Sequence, residues 1–292
     1  MLHNILNHPD CQIAINCSGG KDSQAMLVYL NRLFPSVEKF AIHANLGEME
    51  WPQTLPFIEK LCQKERVKLV TIKHQLSLLA IIRERYRKIQ AKGETKPFWP
   101  SANARYCTST AKVLPINKYL RKLDTNLIVN AIGIRAEEST NRRRKTPLKI
   151  RKDISSVLYQ DCTIEQAFKL YQSNKNKRLV VDWYPIYRWN LDRVWTECGT
   201  STQEWEARRK LPDDLATQDW PAHPVYVLGH GNTRLSCAFC VLGNINDLTN
   251  AVKLYPTMYR TLVEMEESTG YTFQNKRSLK SLAERPRQLE LF

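Results

Sequence analysis

The chain has 292 residues, of which 42% are hydrophobic and 25% charged, the ordinary balance of a globular protein with a substantial core. It contains no long apolar run, and its N-terminus, MLHNILNHPD, lacks the basic-then-apolar order of a signal peptide, so we expect a cytoplasmic protein without a membrane partner. The formal net charge is +15, from 44 Lys and Arg against 29 Asp and Glu. This excess favours a polyanionic partner such as DNA or RNA, although a basic surface that only aids solubility accounts for it equally well.

Apolar runs typical of strands alternate with segments that are compatible with helices. The strand-like runs lie at 12–17, 39–45, 67–73, 127–132 and 179–182. Such alternation predicts an α/β fold, with a parallel sheet and helices on both faces. Ligands of such sheets bind at the carboxyl ends of the strands, so the polar motifs that follow the runs are the candidate site.

The domain organisation follows from a change in composition. A polar stretch at about 199–224 with three prolines separates the predicted sheet from a region that contains a pair of cysteines. We therefore predict a nucleotide-binding α/β domain at 1–198, a metal- or cluster-binding C-terminal region at 199–284 and a flexible tail at 285–292.

The first motif directly follows the first strand. It consists of Ser18, Gly19, Gly20, Lys21, Asp22 and Ser23. A strand, a tight glycine turn and a helix start bring backbone N–H groups and the positive helix end to one point, which suits a phosphate group. Lys21 can neutralise phosphate oxygens, the two serines can donate hydrogen bonds, and Asp22 can cap the helix or approach Mg²⁺. Since the spacing differs from the kinase-type GxxxxGK[ST] loop, we expect a nucleotide but no transfer of a γ-phosphate.

Two further motifs follow the second and fourth strands. Their candidate residues are Asn45, Gly47, Gly133, Arg135, Glu138 and Arg142. The turn at 45–52 lies where a base or ribose would bind, although it could be a simple turn before a helix. In the motif at 133–142 the two arginines can grip an oxyanion in a forked geometry, and Glu138 can orient one of them.

These motifs together resemble a known enzyme family. SGGKDS at 18–23 resembles the PP-loop, SGGxDS, of the ATP pyrophosphatases, which cleave ATP between its α and β phosphates. GIRAEESTNR at 133–142 matches GxRxxESxxR, and NLGEMEWP at 45–52 resembles the DTGxExPET turn of phosphoadenosine phosphosulfate (PAPS) reductases, with Asn45 in place of the acid. YPIYRWNLDRVW at 184–195 resembles the RPIxxWxxxDVW segment of that family. The resemblance implies the adenine nucleotide alpha hydrolase-like (PP-loop) fold, with ATP and Mg²⁺ as ligands.

Eight cysteines in a cytoplasmic chain favour metal sites, catalysis or core packing over disulfides. Cys237 and Cys240 have the CxxC spacing that presents two thiolates to one metal ion or iron–sulfur cluster. They lie in a segment that resembles HPxYxxGxxRxSCxxC of PAPS-reductase-like proteins, and Cys107 lies in one that resembles CCxxRKxxP of adenosine phosphosulfate reductases. In those reductases the cysteines hold a [4Fe-4S] cluster. Because Thr108 replaces the second cysteine, only three ligands carry over, and Cys198 is a candidate for the fourth. Structural Zn²⁺ is the alternative.

The resemblance implies an ATP pyrophosphatase that activates a substrate for sulfur transfer. The nearest functional analogue is the sulfur-transfer component of DNA phosphorothioation systems, which implies DNA as acceptor and a cysteine desulfurase or another sulfur donor as partner. The residues implied as catalytic are Lys21, Asp22, Arg135 and Arg142. The residues implied to contact the nucleotide are Ser18, Gly19, Gly20, Lys21, Asp22, Ser23, Asn45, Gly47, Gly133, Arg135 and Glu138.

Two alternative functions stay open at this point. One is a reductase that releases sulfite from PAPS or adenosine phosphosulfate. The other is a DNA-binding regulator whose nucleotide site is degenerate. The last five residues, Gln288–Phe292, have the sequence QLELF and resemble the peptide that binds the bacterial sliding clamp, which would tether the protein to DNA.

Overall fold

The computed structural model describes residues 1–283 and contains one six-stranded sheet. The strands are β1 (Cys11–Asn16), β2 (Glu38–Asn45), β3 (Lys68–Lys73), β4 (Leu127–Ala131), β5 (Leu148–Ile150) and β6 (Leu179–Trp183). Their order is β3-β2-β1-β4-β6-β5, and every pair is parallel except β5 with β6. The predicted parallel sheet and its five strands are confirmed. β5, a three-residue strand at the sheet edge, was not predicted.

Helices cover both faces of this sheet and build the C-terminal region. They are α1 (Leu2–Leu6), α2 (Lys21–Leu33), α3 (Thr54–Glu65), α4 (Leu78–Ala91), α5 (Tyr106–Thr108), α6 (Leu114–Leu120), α7 (Thr140–Arg143), α8 (Ile164–Ser173), α9 (Leu191–Glu197), α10 (Thr202–Arg208), α11 (Asp213–Thr217), α12 (Ile245–Leu254), α13 (Pro256–Thr269) and α14 (Lys280–Ala283). A π-helical turn, Ser109–Val113, joins α5 to α6. None of the helices within residues 1–283 has the length and apolar character needed to cross a membrane.

The apolar residues of each strand alternate between two cores. Ile13 and Ile15 of β1 pack in the core that contains the apolar face of α2, whereas Ala14 packs on the opposite side with Leu120 of α6. Successive side chains of a strand point to opposite faces, so a sheet that is buried on both faces needs a continuous apolar run. This requirement explains why the central strands could be recognised from the sequence.

The order of the strands creates a crevice in which a ligand can bind. β1 pairs with β2 on one side and with β4 on the other, and the chain reaches β4 only after passing through β3 at one edge. The connections that leave β1 and β4 therefore run to opposite sides and open a crevice at the carboxyl ends of these two strands. The motifs at 18–23 and 133–142 follow these two strands and meet there.

A row of buried polar side chains crosses the middle of the sheet. The Asn16 side-chain amide donates to Asn130 Oδ1 at 2.7 Å, and the Asn130 amide donates to Asp182 Oδ1 at 2.7 Å. Arg151, just beyond β5, donates to the same Asp182 oxygen at 3.3 Å. Asn130 is 0% exposed, so these partners satisfy groups that would otherwise be costly to bury.

Apolar packing continues across the predicted boundary at residue 198. The ring of Trp195 lies 5.2 Å from that of Trp205 and 5.7 Å from that of Trp220, so the segment after α9 shares the core of the sheet. Residues 238–282 form a second core with α4 and with Phe98 and Trp99. The predicted division into two domains stays a prediction, and the predicted tail at 285–292 lies outside the described residues.

His223 is a buried polar link between α3 and the C-terminal region. It is 0% exposed, its Nδ1 accepts a hydrogen bond from the Val225 N–H at 3.2 Å, and its Nε2 lies 3.2 Å from Thr54 Oγ1. Nδ1 therefore carries no proton, and the neutral ring holds its proton on Nε2. Burial lowers the pKa of His223 from 6.5 to about 3.

The depressed pKa predicts a loss of stability in acid. Between about pH 6.5 and pH 3 the unfolded chain binds a proton at His223 that the folded chain does not, so the free energy of unfolding falls as the pH drops. His223→Asn keeps an acceptor for the Val225 N–H and removes the titration. Between pH 6.5 and 4.5 we expect the wild type to lose about 2 kcal/mol more than this variant, measured by urea unfolding. Equal losses in the two proteins would contradict the assignment.

Candidate functional site

The loop between β1 and α2 has the predicted strand–turn–helix geometry. Gly19 has φ +78°, a left-handed conformation that L side chains resist. The Ser23 hydroxyl donates to the Gly20 carbonyl at 2.9 Å and accepts from the Ser18 N–H at 3.1 Å. These bonds fold the loop back onto the first turn of α2, which begins at Lys21. A phosphate group on this loop would face the positive end of a 13-residue helix.

A buried ion pair joins the motif after β1 to the motif after β4. The Arg135 Nε donates to Asp22 Oδ1 at 2.5 Å, and its Nη1 donates to the Glu137 carboxylate at 3.0 Å. Arg135 is only 4% exposed. Gly133 makes this approach sterically feasible, because a Cβ there would lie 3.2 Å from the Asp22 carbonyl oxygen and 3.3 Å from the Ser23 nitrogen. The structure thus brings together two motifs that are more than one hundred residues apart.

Arg142 and Glu138 form a second ion pair at the rim of the crevice. An Arg142 Nη1 donates to the Glu138 carboxylate one helical turn earlier, and Ser139 caps α7 by accepting from the Arg142 N–H at 3.2 Å. The guanidinium of Arg234, from the C-terminal region, donates to the Glu138 carbonyl at 3.3 Å. The side chain of Arg142 is 37% exposed, whereas that of Arg135 is 5% exposed, so Arg142 is the more accessible of the two predicted oxyanion-binding arginines.

Lys21 points into the protein and is held by the C-terminal region. It is 3% exposed, and its ammonium lies 3.3 Å from the Thr233 carbonyl oxygen, 5.3 Å from the Tyr226 ring centre and 5.9 Å from the Trp195 ring centre. The Lys21 N–H also donates to the Tyr226 hydroxyl at 3.0 Å. The predicted role of Lys21 as a phosphate ligand stays a prediction. In the structure its contacts attach the C-terminal region to the loop.

The turn after β2 connects the nucleotide side of the site to the cysteines. Asn45 Oδ1 accepts from the Gly47 N–H at 2.7 Å, and Gly47 has φ +70°. The Met49 carbonyl of the same turn accepts from the Ala238 N–H, inside the CxxC loop, at 3.0 Å. Asn45 and Gly47 therefore shape this turn, and their predicted contact with a nucleotide stays a prediction.

A polar pair that was not predicted, His43 and Glu50, lies beneath the loop. His43 is 1% exposed, its Nδ1 donates to the Cys17 carbonyl at 3.0 Å, and its Nε2 lies 3.1 Å from Glu50 Oε2. The pair joins the residue that precedes the phosphate loop to the turn that holds the CxxC segment. A histidine inside the apolar run of β2 was the available signal.

Of the three cysteines predicted as ligands, Cys107 and Cys240 lie close enough to Cys237 to affect its pKa. Burial raises the pKa of the Cys237 thiol to about 12, while the Lys112 ammonium lowers it and negative charge on Cys240, Glu50 and Cys107 raises it. Lys112 lies on the π-helical turn that follows Cys107. Three thiols suit a soft metal centre such as an iron–sulfur cluster or zinc. Within residues 1–283, however, no three His, Cys, Asp or Glu side chains are arranged as a ligand set for a metal ion.

Cys198, the candidate fourth ligand, lies in the core of the sheet. Its thiol donates to the Lys21 carbonyl at 3.3 Å, and burial raises its pKa. Cys107 and Cys237 instead pack against the second core, so the structure does not bring Cys198 to them. The donor set is thus one thiolate short of the four that close a structural site.

Comparison with known proteins identifies the family. The sequence model of the phosphoadenosine phosphosulfate reductase domain matches residues 12–200, more than half of the chain. The protein therefore belongs to this family and is an enzyme of the PP-loop type. Family membership, with the phosphate loop in place, indicates chemistry that uses ATP and is related to sulfur.

Individual relatives are distant. An uncharacterized protein of Methanocaldococcus jannaschii is 22% identical over 268 residues, which cover 88% of this chain and 49% of the relative, so the chain spans about half the length of that protein. The U34-tRNA thiolase NcsA from Methanococcus maripaludis with its [4Fe-4S] cluster is 13% identical, with a TM-score of 0.41 over 96% of this chain and 72% of the thiolase. Candida glabrata FMN adenylyltransferase in complex with FMN and the ATP analogue AMPCPP is 15% identical, with a TM-score of 0.31 over 70% and 50% of the two chains.

The close approach at Gly133 generates a prediction for nucleotide binding. In Gly133→Ala the methyl group would lie 3.2 to 3.3 Å from the backbone of Asp22 and Ser23, so the first turn of α2 must shift. We expect ATP binding to weaken at least about tenfold, which corresponds to about 1.4 kcal/mol, in calorimetric titration. Gly93→Ala is the control, because its Cβ would meet open space; its positive φ of 65°, which Gly133 does not share, makes it the more strained substitution of the two for the backbone. Unchanged ATP affinity in Gly133→Ala would contradict the proposed role of the crevice.

Proposed function

We propose that this protein is an ATP pyrophosphatase that activates a backbone phosphate of DNA for replacement of one oxygen by sulfur. The observation that carries this proposal is the Asp22–Arg135 ion pair, which fixes a buried cation beside the phosphate loop at the crevice between β1 and β4. Ligands of doubly wound sheets bind at this position. The family match adds sulfur-related chemistry to an ATP site.

The proposed reaction has two displacement steps. A nonbridging oxygen of the phosphodiester attacks the α-phosphorus of ATP, and pyrophosphate leaves. Hydrosulfide from a sulfur donor then attacks the adenylylated backbone phosphorus, and AMP leaves with the former phosphodiester oxygen. One P–O bond is replaced by a P–S bond, a proton is released, and no electrons are transferred.

The residues of the crevice fit the charge that develops in these steps. The backbone N–H groups at the start of α2 and the guanidinium of Arg135 would stabilise the negative charge on the α-phosphate in the transition state. Arg142 is held by Glu138 but is partly exposed, so it can turn to the second, incoming phosphate. Mg²⁺, when bound with ATP, would neutralise the pyrophosphate leaving group.

The cysteine pocket would supply the sulfur side of the reaction. Cys107, Cys237 and Cys240 would hold a [4Fe-4S] cluster, which would supply iron that can bind hydrosulfide. The Ala238–Met49 backbone bond links the CxxC loop to the turn after β2, and the His43–Glu50 pair links that turn to Cys17, the residue before the phosphate loop. A cysteine desulfurase is the proposed donor, and because it delivers persulfide sulfur, a thiol reductant must supply two electrons to release hydrosulfide before the displacement steps. Structural Zn²⁺ on the same thiols is the competing assignment.

The family match also supports a second candidate, reduction of PAPS or adenosine phosphosulfate with release of sulfite. A reductase of this kind attacks its substrate with a cysteine thiolate. The thiol of Cys198 is 5% exposed, burial raises its pKa, and it is bonded to the Lys21 carbonyl, all of which oppose a nucleophilic role. These contacts favour sulfur transfer over reduction in this chain.

Two proposed associations rest on sequence alone. The sliding-clamp peptide, Gln288–Phe292, lies outside the described residues and stays a prediction, as does location in the cytoplasm.

A DNA-binding regulator with a degenerate nucleotide site is the remaining alternative function. The ordered hydrogen bonds of the loop at 18–23 favour a working site over a degenerate one.

The ion pair beside the loop predicts a strong effect on pyrophosphate release. Asp22→Asn removes the charge that holds Arg135, so we expect release of pyrophosphate from ATP in the presence of DNA to fall at least about 100-fold, about 2.7 kcal/mol of transition-state stabilisation. Asp124→Asn, at an exposed position away from the crevice, is the control. Sulfite release from labelled PAPS with a thiol reductant, without pyrophosphate release from ATP, would support the reductase instead. Full biological activity of Asp22→Asn would leave only the regulator.

The cysteine pocket predicts the metal content of the protein. An anaerobic preparation should contain about four iron and four sulfide per chain, and Cys237→Ser should lose them. Cys162→Ser is the matched control, since Cys162 is a free, partly exposed cysteine outside the pocket. Iron, acid-labile sulfide and zinc are measured on the same samples. Stoichiometric zinc without sulfide would refute the cluster.

A further inference from the structure

Between residues 139 and 152 the chain carries seven basic residues and no acidic one. Arg142 and Arg151 are engaged with carboxylates, and Lys149 lies 3.9 Å from Asp182 Oδ2. The other four have exposed side chains with no hydrogen-bond or ion-pair partner within residues 1–283. They are Arg143, Arg144, Lys145 and Lys152, which we call the basic track.

The backbone that carries the basic track is fixed although its charged groups are free. The Tyr187 hydroxyl donates to the Arg143 carbonyl at 2.6 Å, and the Tyr184 N–H donates to the Pro147 carbonyl at 2.8 Å. β5 then pairs with β6, beginning with Leu148 opposite Trp183. A fixed backbone with unpaired cations presents positive charge without the cost of breaking ion pairs first.

The position of the basic track relates it to the candidate site. It starts in α7, directly after Arg142 at the rim of the crevice, and continues past the edge strand β5 to Lys152. An open groove of about 930 Å³ lies along β5, and Lys149, Arg151 and Lys152 contribute to its lining. Three acids also line this groove: Asp153 and Asp182, which are both paired with Arg151, and Asp161. The excess of positive charge therefore lies in the exposed run from Arg143 to Lys145, next to the rim of the crevice, and not in the groove itself.

We propose that the basic track binds the phosphodiester backbone of the DNA acceptor and leads it from the edge groove to the crevice. This inference rests on the proposed function and names the surface that would hold its acceptor. Ammonium and guanidinium groups without acidic partners are attracted to the regularly spaced negative phosphates of a DNA backbone. Contacts of this kind position the strand without reading its sequence.

Counterion release predicts how steeply DNA binding depends on salt. The logarithm of the binding constant should fall with the logarithm of the salt concentration with a slope of about −0.9 for each neutralised phosphate. The test variant replaces all four residues of the track, Arg143→Gln, Arg144→Gln, Lys145→Gln and Lys152→Gln. The control replaces Lys60, Lys64, Lys68 and Lys73 by Gln; these exposed lysines lie on α3 and β3, at the opposite edge of the sheet, and give the same change in charge.

Binding to a labelled DNA duplex is measured by fluorescence anisotropy between about 50 and 250 mM salt. We expect the track variant to lose about 3 to 4 units of slope and to bind at least about 100-fold more weakly, while the control keeps most of the slope. The single variant Lys152→Gln, far from the crevice, should lose about one unit of the salt-dependence slope. Equal losses in the track and control variants would overturn the inference, because they would show an effect of net charge alone. Tighter binding of the wild type to a structured RNA than to the duplex would overturn it as well.

Pyrophosphate release separates this inference from the proposed function. The track variant should release pyrophosphate from ATP at the basal rate seen without DNA, since none of its four residues belongs to the nucleotide site. If the wild type binds DNA through the track but never releases pyrophosphate, the track stands and the proposed function fails. If pyrophosphate release responds to DNA equally in the wild type and the track variant, the function stands and the track fails.

Discussion

The ion pair between Asp22 and Arg135 is the constraint on which the candidate site depends. Removing a guanidinium and a carboxylate from water costs several kcal/mol for each ion, so Arg135 at 4% exposure is stable there only while its acidic partners remain in place. The pair joins the first turn of α2 to the segment that follows β4. Gly133 allows the two backbones to approach within the distance the pair requires. A cation is thereby fixed beside the phosphate loop before any ligand arrives, which is the condition for electrostatic stabilisation without reorganisation.

The C-terminal region forms the other wall of the same site. Tyr226 accepts from the Lys21 N–H, and the side chain of Leu235 packs so close to Gly19 that a Cβ there would lie 3.3 Å away. Two residues after Leu235 the chain reaches Cys237, and the Ala238 N–H binds the turn after β2. The C-terminal segment that contacts the phosphate loop through Tyr226 and Leu235 therefore continues directly into the CxxC pair.

The sequence predicted the features that are encoded in neighbouring residues. The central strands are buried on both faces and therefore read as apolar runs, and the glycine turn of the loop has its own local signature. β5 was missed because three residues at a sheet edge, next to a basic run, carry no such pattern. The direction of Lys21 and the partner of His43 could not be predicted either. Tyr226 lies 205 positions from Lys21, and Glu50 is brought to His43 only by the turn after β2.

The polar row through the sheet explains how the edge strand and the loop are held in one register. If apolar residues replaced Asn16, Asn130 and Asp182, they would suit strands that are buried on both faces. They would not, however, prevent neighbouring strands from shifting in register. Each polar side chain here is hydrogen-bonded to a specific partner on the neighbouring strand, so a shift of one residue would leave buried donors and acceptors unpaired at a cost of about 1 to 3 kcal/mol each. The row ends at Arg151, whose bonds to Asp182 and Asn117 anchor the chain just beyond β5. β5, which lies between Lys145 and Lys152 of the basic track, is thus tied through the interior to β1, which leads into the phosphate loop.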